Sequence, residues 1–156
     1  MTMPPAKTIN PASEKQKIVR ERFRLAAGYA RLAMENPEIK AIYAARATKN
    51  MAAYRLAVQD FLSPPFIRQI DTSGYKGNPG DTILVAAGDS FRVTRVMVTI
   101  RGADGNTIEE GACTLNLPTG KFEYAATASV PVPAGCTLTA KVTDLPGNCV
   151  EQTVTL

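Results

Sequence analysis

Arg95-Val96-Met97-Val98-Thr99-Ile100 decides the fold class of the larger part of this chain. Val96, Val98 and Ile100 fall on one parity and Arg95, Met97 and Thr99 on the other, the period of a strand with one buried face. Asp104-Gly105-Asn106 follows as a hairpin turn, and Thr107 through Glu110 begins the return. The same alternation spreads in both directions. Ile83, Val85 and Ala87 alternate with Thr82, Leu84 and Ala86, and Cys113, Leu115 and Leu117 share a face. Pro118-Thr119-Gly120 turns the chain into Phe122, Tyr124, Ala126 and Ala128, which share the next face, and Pro131 and Pro133 bracket a loop or edge segment. Leu138, Ala140 and Val142 alternate with Thr137, Thr139 and Lys141, and Leu145-Pro146-Gly147-Asn148 turns into a last strand with Val150, Val154 and Leu156 inward. Seven short strands over residues 66–156 predict an antiparallel β-sandwich. No helical period interrupts them, which excludes a parallel βαβ sheet.

Upstream of Ser63-Pro64-Pro65 the pattern changes, because two adjacent prolines cannot continue a helix. Residues 1–65 are rich in Ala, Arg and Lys and carry helical spacing. Ser13-Glu14-Lys15-Gln16 has the form of a capping box and predicts a helix to about Glu35. Ile18, Leu25, Tyr29 and Leu32 lie on one flank of its apolar arc; Val19, Phe23, Ala26, Ala30 and Met34 lie on the other. Asn36 caps and Pro37 opens a second helix, to about Ala47, with Ile39, Ile42 and Tyr43 on one side. Met51, Tyr54, Val58 and Phe61 place a third from about Asn50. The fold class is therefore α+β by segregated domains. A three-helix unit over residues 1–65, its first dozen or so residues flexible, precedes a seven-stranded sandwich over 66–156. So small a helical unit is marginal alone, and the wide arc of its first helix calls for a covering partner, its own sandwich or a second protomer.

Ala140-Lys141-Val142-Thr143-Asp144-Leu145-Pro146-Gly147-Asn148, followed by a Thr/Val-rich strand, resembles the closing hairpin of bacterial immunoglobulin-like domains. Phe91 through Ile100 with Asp104-Gly105 is similar to their central hairpin. The resemblance covers residues 66–156, implies the sandwich fold and is nearly silent on function; the Cys-Trp-Cys core of antibody-type domains is absent. Residues 1–65 resemble segments of bacterial proteins to which no activity attaches.

Composition narrows the chemistry. The 156 residues hold 18 Lys and Arg against 14 Asp and Glu, for a net charge of +4, and neither His nor Trp. Without His there is no Ser-His-Asp or Cys-His mechanism, and the commonest zinc sites are excluded. No P-loop, GxGxxG or GxSxG occurs. Cys113, Cys136 and Cys149 have no CxxC spacing; with no signal-like N-terminus they read as reduced thiols of a cytoplasmic protein. Glu109 and Glu110 are adjacent on a strand, so they face opposite ways and cannot form a catalytic pair. Asp81, Asp89, Asp104, Asp144 and Asn148 lie in loops; turn chemistry accounts for them more simply than calcium does. No enzyme, cofactor, metal, small-molecule substrate or membrane span is expected.

Charge divides at the prolines. Through Pro65 there are eleven Lys and Arg against five acids; from Phe66 there are seven against nine. Lys17, Arg20, Arg24 and Arg31 project from the first helix opposite its apolar arc, the arrangement of a phosphate-binding stripe or of a solvated face. Arg22 projects within the arc, where a cation needs an exit to water, an interface or a carboxylate such as Asp60 or Glu38. The expectation is a non-enzymatic structural or protein-interaction module, with a protein partner or self-association. The alternative is nucleic-acid binding by the stripe.

Overall fold

A computed structural model describes Thr2 and residues 10–156. The flexible segment expected at the N-terminus lies largely outside the described residues. The chain divides into two compact units, Met1–Leu62 and Ser63–Leu156.

The first unit holds α1 (Glu14–Glu35), α2 (Pro37–Ala44) and α3 (Ala53–Leu62). Both legs of the capping box form: Ser13 Oγ accepts the Gln16 N–H at 3.3 Å, and the Gln16 side-chain oxygen accepts the Ser13 N–H at 3.0 Å. Asn36 works at two helix ends. Its N–H bonds the Leu32 carbonyl at 3.2 Å, closing α1, and its side chain accepts the N–H groups of Glu38 and Ile39, opening α2. Helix α2 stops short of Ala47 and α3 starts beyond Asn50, because Thr48 and Met51 exchange both backbone hydrogen bonds around Lys49-Asn50, at 2.9 and 3.2 Å. That tight turn consumes residues the apolar spacing assigned to helix.

Small side chains set the helix packing. Ala26, Ala30 and Ala33 of α1 and Ala57 of α3 are buried where the two helices pack. Tyr43 of α2 is wholly enclosed, and its hydroxyl donates to Asp60 Oδ2 of α3 at 2.6 Å. The Tyr29 hydroxyl of α1 lies 2.8 Å from that of Tyr43 and completes a chain of hydrogen bonds through all three helices. Burial, and then the Asp60 carboxylate, push the Tyr43 phenol well above its ordinary pKa.

The second unit is a two-sheet β-sandwich. Its strands are β1 (Phe66–Asp71), β2 (Thr82–Gly88), β3 (Val93–Arg101), β4 (Thr107–Ala112), β5 (Thr114–Asn116), β6 (Lys121–Ala125), β7 (Thr137–Asp144) and β8 (Cys149–Thr155). They form two four-stranded antiparallel sheets, ordered β1-β2-β6-β5 and β4-β3-β7-β8. Ile83 and Val85 from the first sheet meet Val96, Val98, Ile100, Leu138, Ala140 and Val142 from the second in one core. These are the residues that alternation placed inward.

There are eight strands, not seven. The added one, β1, carries a bulge between Ile67 and Gln69. Ile67 and Ile70 both pack on the core, a spacing of three that breaks the period-two signal. Strand β5 corrects a second expectation. It ends after three residues at the sheet margin, so Leu115 is half exposed and Leu117 almost fully so. Gly111 on β4 is required by contact: a Cβ there would lie 2.6 Å from the Tyr124 ring. Gly147 takes a φ of +96° in the β7–β8 turn, a conformation L side chains rarely adopt.

Residues 66–156 expressed alone should give an all-β circular dichroism spectrum and a single cooperative melt. Helical signal or a non-cooperative transition would contradict the sandwich as a self-sufficient core.

Candidate interaction surfaces

Helix α1 has 22 residues and α3 has 10. At about 1.5 Å per residue, α3 covers less than half the length of α1. The Arg22 guanidinium donates to the Leu62 carbonyl at 3.4 Å, which marks where the C-terminal end of α3 lies along α1. Toward the N-terminus from that point the apolar arc of α1 continues with nothing from α2 or α3 over it among the described residues. Val19 and Phe23, in line with the buried Ala26 and Ala30, are 52% and 54% exposed. On the adjoining flank Ile18, Leu25 and Leu32 recur every seven residues and are 60%, 47% and 67% exposed. Five large apolar side chains thus face water on one helix. The sequence led one to expect them covered; the shortness of α3 leaves Ile18 and Val19 beyond its end, while Leu25 and Leu32 lie on the flank of α1 beside the buried alanines rather than under α3.

The basic stripe occupies the other side of α1. Lys17 pairs with Glu14 at 2.8 Å, and Arg24 pairs with Glu21 through both Nε and Nη2, at 2.9 and 2.6 Å. The Glu21 hydrogen bonds come first in raising the Arg24 pKa and lowering that of Glu21. Of the four cations, Arg20 and Arg31 have no ion pair among the described residues. Arg22 is exposed and bonds the Leu62 carbonyl rather than Asp60 or Glu38.

In the sandwich, the loop acids serve their own turns. Asp81 Oδ2 accepts the N–H groups of Lys76 and Asn78, at 2.8 and 2.9 Å. Asp89 Oδ2 accepts those of Phe91 and Arg92, both at 2.9 Å, and Asp104 that of Asn106 at 3.0 Å. These bonds hold the Asp81 and Asp104 carboxyls below the usual range. Asp144 Oδ1 accepts the Asn148 N–H at 2.7 Å and Oδ2 its side-chain amide at 2.9 Å, bracing the β7–β8 turn. Burial outweighs those bonds and raises the Asp144 pKa. A carboxyl raised in the fold costs stability as pH climbs through and above the ordinary carboxylate range, and the cost is relieved below it.

Glu109 and Glu110 face opposite ways, and Glu109 carries a role the sequence did not reveal. It is buried on β4 and receives the Tyr124 hydroxyl from the other sheet at 2.8 Å. It also receives the N–H of Thr127 at 3.1 Å and of Ala128 at 2.6 Å. Desolvation, then this carboxylate, push the Tyr124 phenol to about 12. Glu109 therefore ties β4 to β6 and to the segment after it, on the side of the sandwich where the chain itself crosses between sheets at Cys113. Glu110 faces outward and accepts the Thr99 hydroxyl at 2.8 Å. No signal in the sequence marks this role, because Glu109 shares its face with Thr107 and Gly111 and a partner two strands away is not readable from spacing.

No helix among the described residues is long and apolar enough to cross a membrane. No family model matches the chain, and no curated protein matches it. Among solved structures it is similar to a carbohydrate-binding module family 56 β-1,3-glucan binding domain, at 17% identity and a TM-score of 0.36. The match covers 59% of this chain and 96% of that one. Similarity at that level carries no argument about ligand.

Glu109→Ala should cost about 3 kcal/mol in urea unfolding, because it leaves the buried Tyr124 hydroxyl and two partly buried N–H groups without their acceptor, whereas Glu110→Ala should cost below about 1. Equal effects would contradict the assignment. Thiol titration separates the cysteines as well. Cys149 is exposed, Cys136 is buried, and burial lifts Cys113 to about 11. One thiol should therefore react quickly at neutral pH and two only on unfolding; three fast thiols would contradict the packing.

Proposed function

We propose that the chain is a non-enzymatic protein-interaction module, in which a rigid sandwich over residues 66–156 carries a helical unit over residues 1–65 that docks a partner through α1. The observation that carries this reading is the exposed apolar row Ile18, Val19, Phe23, Leu25 and Leu32 on one helix. An apolar patch of that kind on a polar chain is the usual mark of a docking site. An amphipathic helix presenting anchors at spacings of four and seven fits a groove or a second helix.

Strand order supports an immunoglobulin-like sandwich. The sequence β1-β2-β6-β5 in one sheet and β3-β7-β8 in the other follows the order of that fold, with β4 as an added edge strand. Such sandwiches serve as spacers and platforms, so the docking chemistry is placed on the helix rather than on the fold. Nucleic-acid binding by Lys17, Arg20, Arg24 and Arg31 is the lesser reading, because two of these cations are already paired with acids on the same helix.

Affinity capture from the source cells distinguishes the two. The intact chain, a Leu25→Glu/Leu32→Glu variant and an Arg20→Glu/Arg31→Glu variant serve as baits. A protein partner held by the intact chain and the charge variant, and lost from the apolar variant, is expected. Retention by all three baits, or loss only from the charge variant together with recovered nucleic acid, would overturn the docking reading.

A further inference from the structure

We propose that the sandwich dimerises by antiparallel pairing of β8 with β8 of a second copy, joining two four-stranded sheets into one of eight. The inference concerns a different surface from α1 and does not depend on it.

The four sheet edges are unequal. Strand β1 is bulged beside Arg68, and that guanidinium lies 5.6 Å over the Phe66 ring. Strand β4 is bulged opposite Ile100 and Arg101 and is tied inward by Glu109. Strand β5 has three residues. These are the devices that stop a sheet edge from recruiting another strand: shortness, bulges and charge. Strand β8 is neither short nor bulged and carries a single charge. It runs seven residues in unbroken register with β7, from Thr137↔Thr155 to Thr143↔Cys149, without Pro or Lys and with one acid, Glu151.

The register fixes which groups are free. Asp144 donates to the Asn148 carbonyl at one end, and Leu156 donates to the Cys136 carbonyl at the other. Pairs two residues apart along an antiparallel ladder share their bonding state. Val150, Gln152 and Val154 therefore point their N–H and C=O toward β7. Cys149, Glu151, Thr153 and Thr155 point theirs away, and none of these four has a backbone hydrogen bond among the described residues. Four donors and four acceptors stand in a row along one edge, and all four residues are exposed.

A second copy fits that row in one preferred register. A two-fold axis at Gln152 sets Cys149 opposite Thr155 of the second copy, and Glu151 opposite Thr153. Every free group then finds a partner, giving eight backbone hydrogen bonds. A two-fold at Glu151 would face two like charges across the seam, and one at Thr153 would carry Cys149 past the end of β8. The edge is thus complementary to itself, as a two-fold contact requires.

Sedimentation equilibrium of the full chain from micromolar to sub-millimolar should show a monomer–dimer equilibrium; a monomer throughout overturns the proposal and indicates that any edge partner is a different chain. The Thr153→Pro variant loses an N–H that β7 does not use, so the monomer keeps its fold while the dissociation constant rises at least about 10-fold. An unchanged constant in the folded variant overturns the proposal. Register is read by Thr155→Cys under mild oxidation, because Cys149 and position 155 of the second copy stand within disulfide reach. A covalent dimer is expected from Thr155→Cys and not from Cys149→Ser/Thr155→Cys. No link in the first, or a link in both, contradicts the seam even should Thr153→Pro fail to fold.

Discussion

One constraint organises the sandwich: each sheet has a single buried face, so residue parity decides both where a side chain goes and where its neighbours can be. Val96, Val98 and Ile100 on β3 lie opposite Val142, Ala140 and Leu138 on β7, and all six are buried. Slipping either strand by one residue would put Met97, Thr99, Lys141 and Thr139 into the core instead. Parity also governs the edge. On β8, Val150 and Val154 pack on the core, and Glu151 and Thr153, of the opposite parity, carry exposed side chains and the free backbone groups of the edge.

The two open sides of the sandwich are closed differently. At the β4–β5 side the chain crosses from one sheet to the other around Cys113, and Glu109 collects the Tyr124 hydroxyl and two backbone N–H groups. A buried carboxylate with three donors is well compensated for its desolvation. At the other side β1 and β8 lie near each other without a ladder between them. Covalent continuity and a buried acid seal one side; the other keeps a row of unsatisfied backbone. The helical unit shows a parallel asymmetry, with alanines and the Tyr29-Tyr43-Asp60 chain binding three helices along one part of α1 while Ile18, Val19 and Phe23 stand bare toward its N-terminus.

Much of this was legible in residues. The capping box at Ser13, the double use of Asn36 and the alternation of β2, β3 and β7 are local signals, and local physical chemistry produces them. The element borders around Thr48 and Met51 were not legible, because a reciprocal pair of backbone bonds leaves no trace in side-chain pattern. Strand β1 was hidden by its bulge, which changes a spacing of two into three between Ile67 and Ile70. For Arg22, read as projecting within the apolar arc, the position of α3 decided the contact: it stands at the C-terminal end of that helix and donates to the Leu62 carbonyl. Interaction surfaces were the least legible, since exposure of Ile18 or Val19 depends on where a neighbouring helix ends.

Backbone amide exchange along β8, followed over a range of protein concentration, tests the parity account most directly. The amides of Val150, Gln152 and Val154 should exchange slowly at every concentration, because β7 holds them. Those of Cys149, Glu151, Thr153 and Thr155 should exchange freely in dilute solution and slow as the concentration rises. Odd-numbered amides protected as strongly as even ones at the highest dilution, or equally fast at every concentration, would contradict a free edge that a second copy fills.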